Sequence, residues 1–267
     1  MVGAAGRCTG TAALSLCGRA FAPRRDTVTC INHLGQPVGF PLPDWRPPRA
    51  PPRDSMVGRY CRVEAIDPAR HAQDLHEANM HDPSGRAFTY LSAGPFATYD
   101  TYHQWMVSSC LGSDPLFHAI VDQATGKAVG VASYMRIDTK NGVIEVGHIN
   151  YSPLLQRKRA ATEAMYLMMK RVFELGYRRY EWKCDALNAA SRAAAQRLGF
   201  SYEGVFRQAV VYKSRNRDTA WYAAIDSEWP ELEPAYLRWL DPANFDESGR
   251  QRMRLSDLTA PVVKRRG

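Results

Sequence analysis

The chain has 267 residues, 45% of them hydrophobic and 23% charged, the balance of a globular protein, and no apolar run approaches the roughly 18 residues of a membrane span. Its net charge of +8 points to a polyanion partner only until it is mapped: residues 1–57 carry seven Arg and three Asp, residues 248–267 carry five Arg, one Lys and one Asp, and residues 58–247 sum to −1. The basic charge sits in the tails, so nucleic acid is not an expected partner.

Residues 1–29 hold Arg7, Arg19, Arg24 and Arg25 with no acid before Asp26. A transit peptide reads this way, but an over-extended start or plain disorder is preferred, and Arg19 interrupts the apolar stretch a secretory signal needs. Residues 35–54 are dense in Pro and read as an extended arm rather than a packed element. Tyr60 to Ile66 alternates as a strand does. Asp67-Pro68 supplies an N-cap and a first-turn Pro for a helix to about His81, and a second helix runs from about Thr98 to Leu111. Strands at Leu116–Val121 and Ala128–Arg136 flank a turn, and Gly142–Tyr151 follows an Asn-Gly hairpin signal. A helix from Arg157 to Leu175 presents Ala161, Met165, Met168 and Val172 on one face and ends at Gly176. Tyr180–Cys184 reads as a buried strand, Asn188–Leu198 as a short helix, and Tyr202–Tyr212 with Thr219–Ile225 as a last hairpin. A helix over 231–240 offers Leu232, Tyr236, Leu237 and Leu240 to the domain, and the tail beyond it is expected to be mobile. This order specifies an α/β fold, a mixed sheet flanked by helices.

The six cysteines, at 8, 17, 30, 61, 110 and 184, form no C-x-x-C pair and no metal spacing with the seven His. No metal is expected, and scattered thiols suit a reducing compartment. The segment from Val143 to Ala164 is the most informative. A strand breaks at Ser152-Pro153 and leads into a helix that opens on Gln156-Arg157-Lys158-Arg159-Ala160-Ala161. The first N–H groups of a helix lack intrahelical partners, and its dipole favours negative charge there. Three cations add to that field, so a pyrophosphate suits the position.

Gln-x-x-Arg-x-Ala at 156–161 resembles the acyl-CoA loop of the GCN5-related N-acetyltransferases (GNAT), with Arg159 where the family carries a middle Gly. A helical Arg159 would be tolerated, since only a positive φ demands Gly. Asn188-Ala-Ala-Ser191 with Leu198-Gly199-Phe200 looks like the second block of that family. Gly204-x-Phe206-Arg207 and Arg217-Asp218 look like the branch of the bacterial ribosomal-protein N-terminal acetyltransferases. The likeness covers roughly 58–226 as a single catalytic domain. Residues 1–57 are left as an N-terminal arm and 227–267 as a helix and basic tail.

The resemblance implies a GNAT-like, mostly antiparallel sheet and acetyl-CoA as co-substrate. It also implies direct acetyl transfer, in a ternary complex, to a primary amine of a protein N-terminus or a small molecule. On this chain it makes Ile149 and Tyr151 main-chain partners of pantetheine. The N–H groups of Gln156, Arg157, Lys158, Arg159, Ala160 and Ala161 would hold the pyrophosphate, and Asn188 would orient a pantetheine amide. The helices at 67–81 and 98–111 would flank the acceptor groove. Glu145, sharing a strand face with Gly147 and Ile149 by alternation, is the first candidate base. His148 falls on the opposite face and is second, an order that a bulge would reverse. The family's Tyr acid has no counterpart: Ala195 stands where it is sought, and Ser191 is the available hydroxyl, with helix capping as its other reading. Arg207 and Asp218 either shape the acceptor pocket or pair with each other. An α-amine, with a pKa near 8 against about 10.4 for Lys, asks less of a base and favours a peptide or amino-acid-like acceptor. The missing Tyr keeps a non-catalytic acyl-CoA-binding regulatory module as the alternative. The setting expected is cytoplasmic, with a homodimer left open.

Overall fold

The computed structural model describes residues 29–267; the targeting and over-extension readings fall on 1–28, outside the described residues. The chain divides into two units, Met1–Arg46 and Pro47–Gly267. In the first, strands β1 (Cys30–Ile31) and β2 (Pro37–Val38) pair antiparallel. Asn32 makes that hairpin: its Oδ1 accepts the N–H groups of Leu34 and Gln36, both at 2.9 Å.

The second unit is built on an eight-stranded sheet. Its elements, in chain order, begin with β3 (Met56–Val57), β4 (Cys61–Ala65), α1 (Pro68–Met80), α2 (Tyr99–Ser109), β5 (Leu116–Asp122), β6 (Ala128–Asp138) and β7 (Val143–Tyr151). There follow α3 (Arg159–Glu174), β8 (Arg179–Asp185), α4 (Ala189–Arg197), β9 (Ser201–Tyr212), β10 (Arg215–Ile225), α5 (Trp229–Leu240) and α6 (Leu255–Thr259). The sheet order is β3-β4-β5-β6-β7-β8-β10-β9. Every pairing is antiparallel except β7–β8, which the crossover helix α3 makes parallel. The mixed, mostly antiparallel sheet flanked by helices is the architecture expected.

Two cores form, one on each face. Ile144, Met165, Met168, Phe200, Leu232 and Tyr236 fill the side under α3, α4 and α5. Ile66, Leu75, Tyr102, Met106 and Phe117 fill the side under α1 and α2. Asp67 caps α1 as expected, accepting the N–H of Ala69; Thr98 accepts that of Thr101, and at α4 the cap is Asn188, accepting that of Ser191. Helix α3 starts at Arg159, later than expected, because Arg157 is left-handed at φ 61°.

Two expectations are corrected. The Pro-rich stretch is packed from residue 47 on: Pro48 and Pro51 are buried, Arg53 donates to the carbonyls of Leu111 and Gly112, and Arg171 donates to that of Asp54. A segment without secondary structure packs when long side chains satisfy its carbonyls. The basic tail is not mobile either. Leu255 and Val262 are 1% and 4% exposed, and Tyr202 N–H donates to Arg265 O while Lys264 N–H donates to Ser201 Oγ. Charge dominates its composition, but two apolar residues in the core fix its path. The motif boundaries at 57/58 and 226/227 are therefore not breaks in packing. Among the described residues no helix is long and apolar enough to cross a membrane, and no three metal-ligating side chains converge.

Candidate active site

Strands β7 and β8 pair from Val143↔Arg179 to Val146↔Trp182 and no further. Beyond Val146 they part, and the gap joins two grooves. Ile149, Trp182, Asn188 and Ser191 line both of them.

At this point β7 carries a bulge. Ser133 faces Gly147 and Val131 faces Asn150, so three steps on β7 match two on β6. His148 absorbs the extra residue in the left-handed region, φ 48°, at roughly 1–2 kcal/mol for a non-Gly residue. Strict alternation placed His148 opposite Glu145; the bulge corrects that, and both line one groove of about 520 Å³. A second left-handed residue, Arg136 at φ 48°, sits on neighbouring β6. The Asp114 carboxylate holds it by accepting the N–H groups of Arg136 and Ile137, at 2.8 and 3.0 Å.

Arg136 reaches Glu145. Its Nη1 lies 2.7 Å from Glu145 Oε2, and Lys183 Nζ lies 2.8 Å from the same oxygen. Glu145 is 3% exposed. Lys183 also contacts Glu181, at 2.7 Å, and its ammonium stands 3.8 Å from the centroid of the Trp221 ring. Burial works against the charge of Glu181, but hydrogen bonds from Lys183 and Arg179 hold its carboxyl below the usual value.

His148 stacks on Phe117 with centroids 4.7 Å apart. Its Nδ1 is 2.8 Å from Ser133 Oγ, which is 3.2 Å from the carbonyl of Gly147. In the tautomer where Ser133 gives its proton to Gly147, Oγ accepts Nδ1–H and Nε2 keeps the free lone pair. Burial first, and then Arg136, push the His148 pKa down, so the ring is neutral at pH 7.

Ser191 lies across the gap. Trp182 Nε1–H donates to its Oγ at 3.0 Å, and the Ser191 hydroxyl is within reach of the Cys184 sulfur. Asn188 Oδ1 accepts the Ser191 N–H, so Asn188 caps α4 with its oxygen and keeps its Nδ2 amide for another partner. Ala195 is fully buried. Two tyrosines, Tyr90 and Tyr212, line the groove that holds Glu145 and His148, but Tyr90 O–H donates to Leu187 O and Tyr212 O–H to Asp185 Oδ2. Burial and Asp185 push the Tyr212 pKa up to about 12.

The second groove, about 1060 Å³, runs along the start of α3. Arg86, Arg157, Lys158, Arg159, Arg197, Arg250 and Arg254 line it, and no Asp or Glu does. Ile149, Tyr151, Gln156, Ala161 and Asn188 are there as expected; Ala160 is buried beneath it. The six expected N–H donors reduce to three. Gln156 donates to Ser152 O, Lys158 to Leu155 O and Ala161 to Lys158 O, because the chain turns tightly before the helix. Those of Arg157, Arg159 and Ala160 have no backbone acceptor among the described residues. Arg159 is the first helical residue, as its replacement of Gly requires. Gln156 instead uses its side chain, donating to Tyr151 O at 2.8 Å.

Some expectations separate. Asp218 accepts from Gln208 N–H and Asn216 Nδ2, so it braces the last hairpin. Helix α2 reaches only a side pocket of about 200 Å³ through Tyr102, Trp105 and Ser109, with His148 on its wall. The sequence reading missed Arg136, Lys183, Thr219, Trp221, the loop over 86–92 and the C-terminal arginines. Lys183 carried a signal, the alternation of Arg179, Glu181, Lys183 and Asp185 with Tyr180, Trp182 and Cys184 along one strand. Arg136 carried none, because nothing local marks a left-handed Arg.

The family profile "Acetyltransferase (GNAT) domain" matches residues 62–201. A GCN5-related N-acetyltransferase from Brucella melitensis is 46% identical over 82% of this chain and 100% of its own, with a TM-score of 0.80. A probable acetyltransferase of the GNAT family from Chromobacterium violaceum ATCC 12472 is 39% identical over 73% of this chain and 98% of its own, with a TM-score of 0.68. RimL, a ribosomal L7/L12 alpha-N-protein acetyltransferase, shares the fold at 20% identity and a TM-score of 0.54, over 64% of this chain and 94% of its own. A search of curated proteins finds no match.

Proposed function

This chain belongs to the GNAT acetyltransferase family, and from that premise we propose that it transfers the acetyl group of acetyl-CoA directly to a neutral primary amine, with His148 as the base. The observation that carries the reading is the β7 bulge, which sets a neutral imidazole with a free Nε2 beside the junction of the two grooves.

The second groove fits a CoA ester. Seven cations without an acid match its phosphates, and the three free N–H groups at the start of α3 suit a pyrophosphate. Asn188 Nδ2 and the main chain of Ile149 and Tyr151 are placed for the pantetheine arm. When bound, the thioester supplies an activated acyl carbon.

In this reading His148 Nε2 takes the ammonium proton, directly or through one water, and the freed amine attacks as the carbon–sulfur bond breaks. Ser191, its oxygen already accepting from Trp182, gives a proton to the departing sulfur and is reprotonated, through solvent, by the proton the nitrogen loses as the amide forms, so a neutral amide and the CoA thiol leave and His148 passes its proton to water. Glu145 is a weaker candidate, since protonating it would break two charge-assisted contacts. It steadies Arg136 and Lys183 on the groove wall instead. Three buried free thiols among the described residues, Cys61, Cys110 and Cys184, support a cytoplasmic setting.

The test is thiol release from acetyl-CoA against a panel of amines and peptides. His148→Ala should lower kcat by about 10²-fold or more and remove the acid limb of the pH–rate profile. Glu145→Gln should keep that limb. Full activity of His148→Ala would return the base role to Glu145 or to solvent. Tight acetyl-CoA binding without turnover on any amine would favour the regulatory module.

A further inference from the structure

Strand β10 directs Arg217, Thr219 and Trp221 to one face, two residues apart, and all three line the groove that holds Glu145 and His148. Each carries a buried polar atom with no hydrogen-bond partner among the described residues: Arg217 Nε, Thr219 Oγ1 and Trp221 Nε1. Thr219 is 4% exposed. Such atoms are costly to leave unpaired, and three along one wall of a cavity call for an explanation.

The wall cannot satisfy them itself. Trp221 is held between the Phe206 ring, with centroids 4.5 Å apart, and the Lys183 ammonium, so its N–H is fixed in direction. The nearby carboxylates are committed: Glu145 to Arg136 and Lys183, and Asp185 to Tyr212 and to Leu187 N–H. Trp and Arg only donate, and Thr can donate. The group that answers them must accept several hydrogen bonds, and the guanidinium favours negative charge on it. A groove of about 520 Å³ is of small-molecule size.

We infer that the acceptor is a small amine bearing an oxyanion, carboxylate or phosphate, which Arg217, Thr219 and Trp221 hold while His148 meets the amine. The inference rests on the acetyltransferase reading above. It deepens that reading by separating small acids from protein N-termini.

Wild-type protein would be assayed for thiol release from acetyl-CoA with matched acceptors. These are L-amino acids against their carboxamides, phosphoethanolamine against ethanolamine, and C-terminally amidated tripeptides beginning with the same amino acids. Calorimetry would measure binding of the same amines to the CoA-loaded protein. The anionic member of a pair should show a kcat/KM at least about tenfold higher, the size expected of one charge-assisted hydrogen bond. The carboxylate and phosphate arms identify which oxyanion is held. Thr219→Val and Trp221→Phe should each bring that ratio towards one by raising KM for the acid rather than by lowering kcat. The rise in melting temperature with acetyl-CoA should persist in both. Equal kcat/KM for acid and amide in the wild type, or a preference for the tripeptides, would overturn the subsite. Absence of turnover with every amine would overturn the transferase reading instead. Calorimetry would then decide the subsite alone, tighter binding of the acid supporting it and equal binding overturning it.

Discussion

Single side chains in this molecule are set by what they donate and accept. As the proposed base, His148 is held by the Ser133 hydroxyl at Nδ1 and by the Phe117 ring beside it. Its depressed pKa places the acid limb of kcat/KM below the ordinary value of about 6.5, since a base is lost as pH falls through its own pKa. His118 answers differently to pH. It is fully buried beside Tyr134, and burial pushes its pKa down to about 4. The unfolded chain binds that proton near pH 6.5 and the folded chain does not, so stability is full above 6.5 and declines towards pH 4. That difference corresponds to about 3 kcal/mol. The melting temperature of wild type should therefore fall between pH 6.5 and 4 by more than that of His118→Phe, and equal pH dependence in the two proteins would remove His118 as the cause.

Elements carry the site where their regular geometry is interrupted. The start of α3 combines a left-handed Arg157 with a helical Arg159 whose guanidinium lies 3.9 Å from the centroid of the Phe245 ring and 5.6 Å from that of Tyr60. These two cations, with only Lys158 between them in the motif, should separate experimentally. Arg157→Gly relieves an unfavourable φ and should raise stability by up to about 1 kcal/mol, or roughly 2–4 °C in a chain of this size, while weakening acetyl-CoA binding. Arg159→Ala loses ring contacts as well as charge, so both stability and acetyl-CoA affinity should fall. Thermal melts with and without acetyl-CoA check both outcomes; a destabilised Arg157→Gly would show that the backbone there is not strained. The edge near β4 follows the same logic. Glu163 accepts the N–H groups of Arg59, Tyr60 and Cys61, at 2.6 to 2.8 Å, and a Cβ on Gly58 would overlap its carboxylate.

At the scale of the whole molecule, the C-terminal segment closes what the motif region begins. Arg250 and Arg254 line the basic groove at the start of α3, and the last residues lie against β9. Removing residues 255–267 takes Leu255 and Val262 from the core at about 2 kcal/mol each, so the melting temperature should fall by about 10 °C; a drop within a degree or two would mean the tail is only laid on the surface. The sequence by itself determined the order of the main elements, the capping of α1, the basic start of α3 and the family. Those properties depend on residues close together in the chain: Asp67 with Ala69, Gln156 with Tyr151, and Arg157, Lys158 and Arg159 in succession. Only the tertiary structure decided which way His148 faces, what holds Glu145, how Lys183 and Trp221 meet, and that the basic tail packs. A left-handed residue inside a strand is imposed by the register of the neighbouring strand and by distant acceptors such as Asp114, so period-two alternation gives no sign of it. A buried charge is likewise settled by partners from other strands, and the chain brings those together only when the sheet closes.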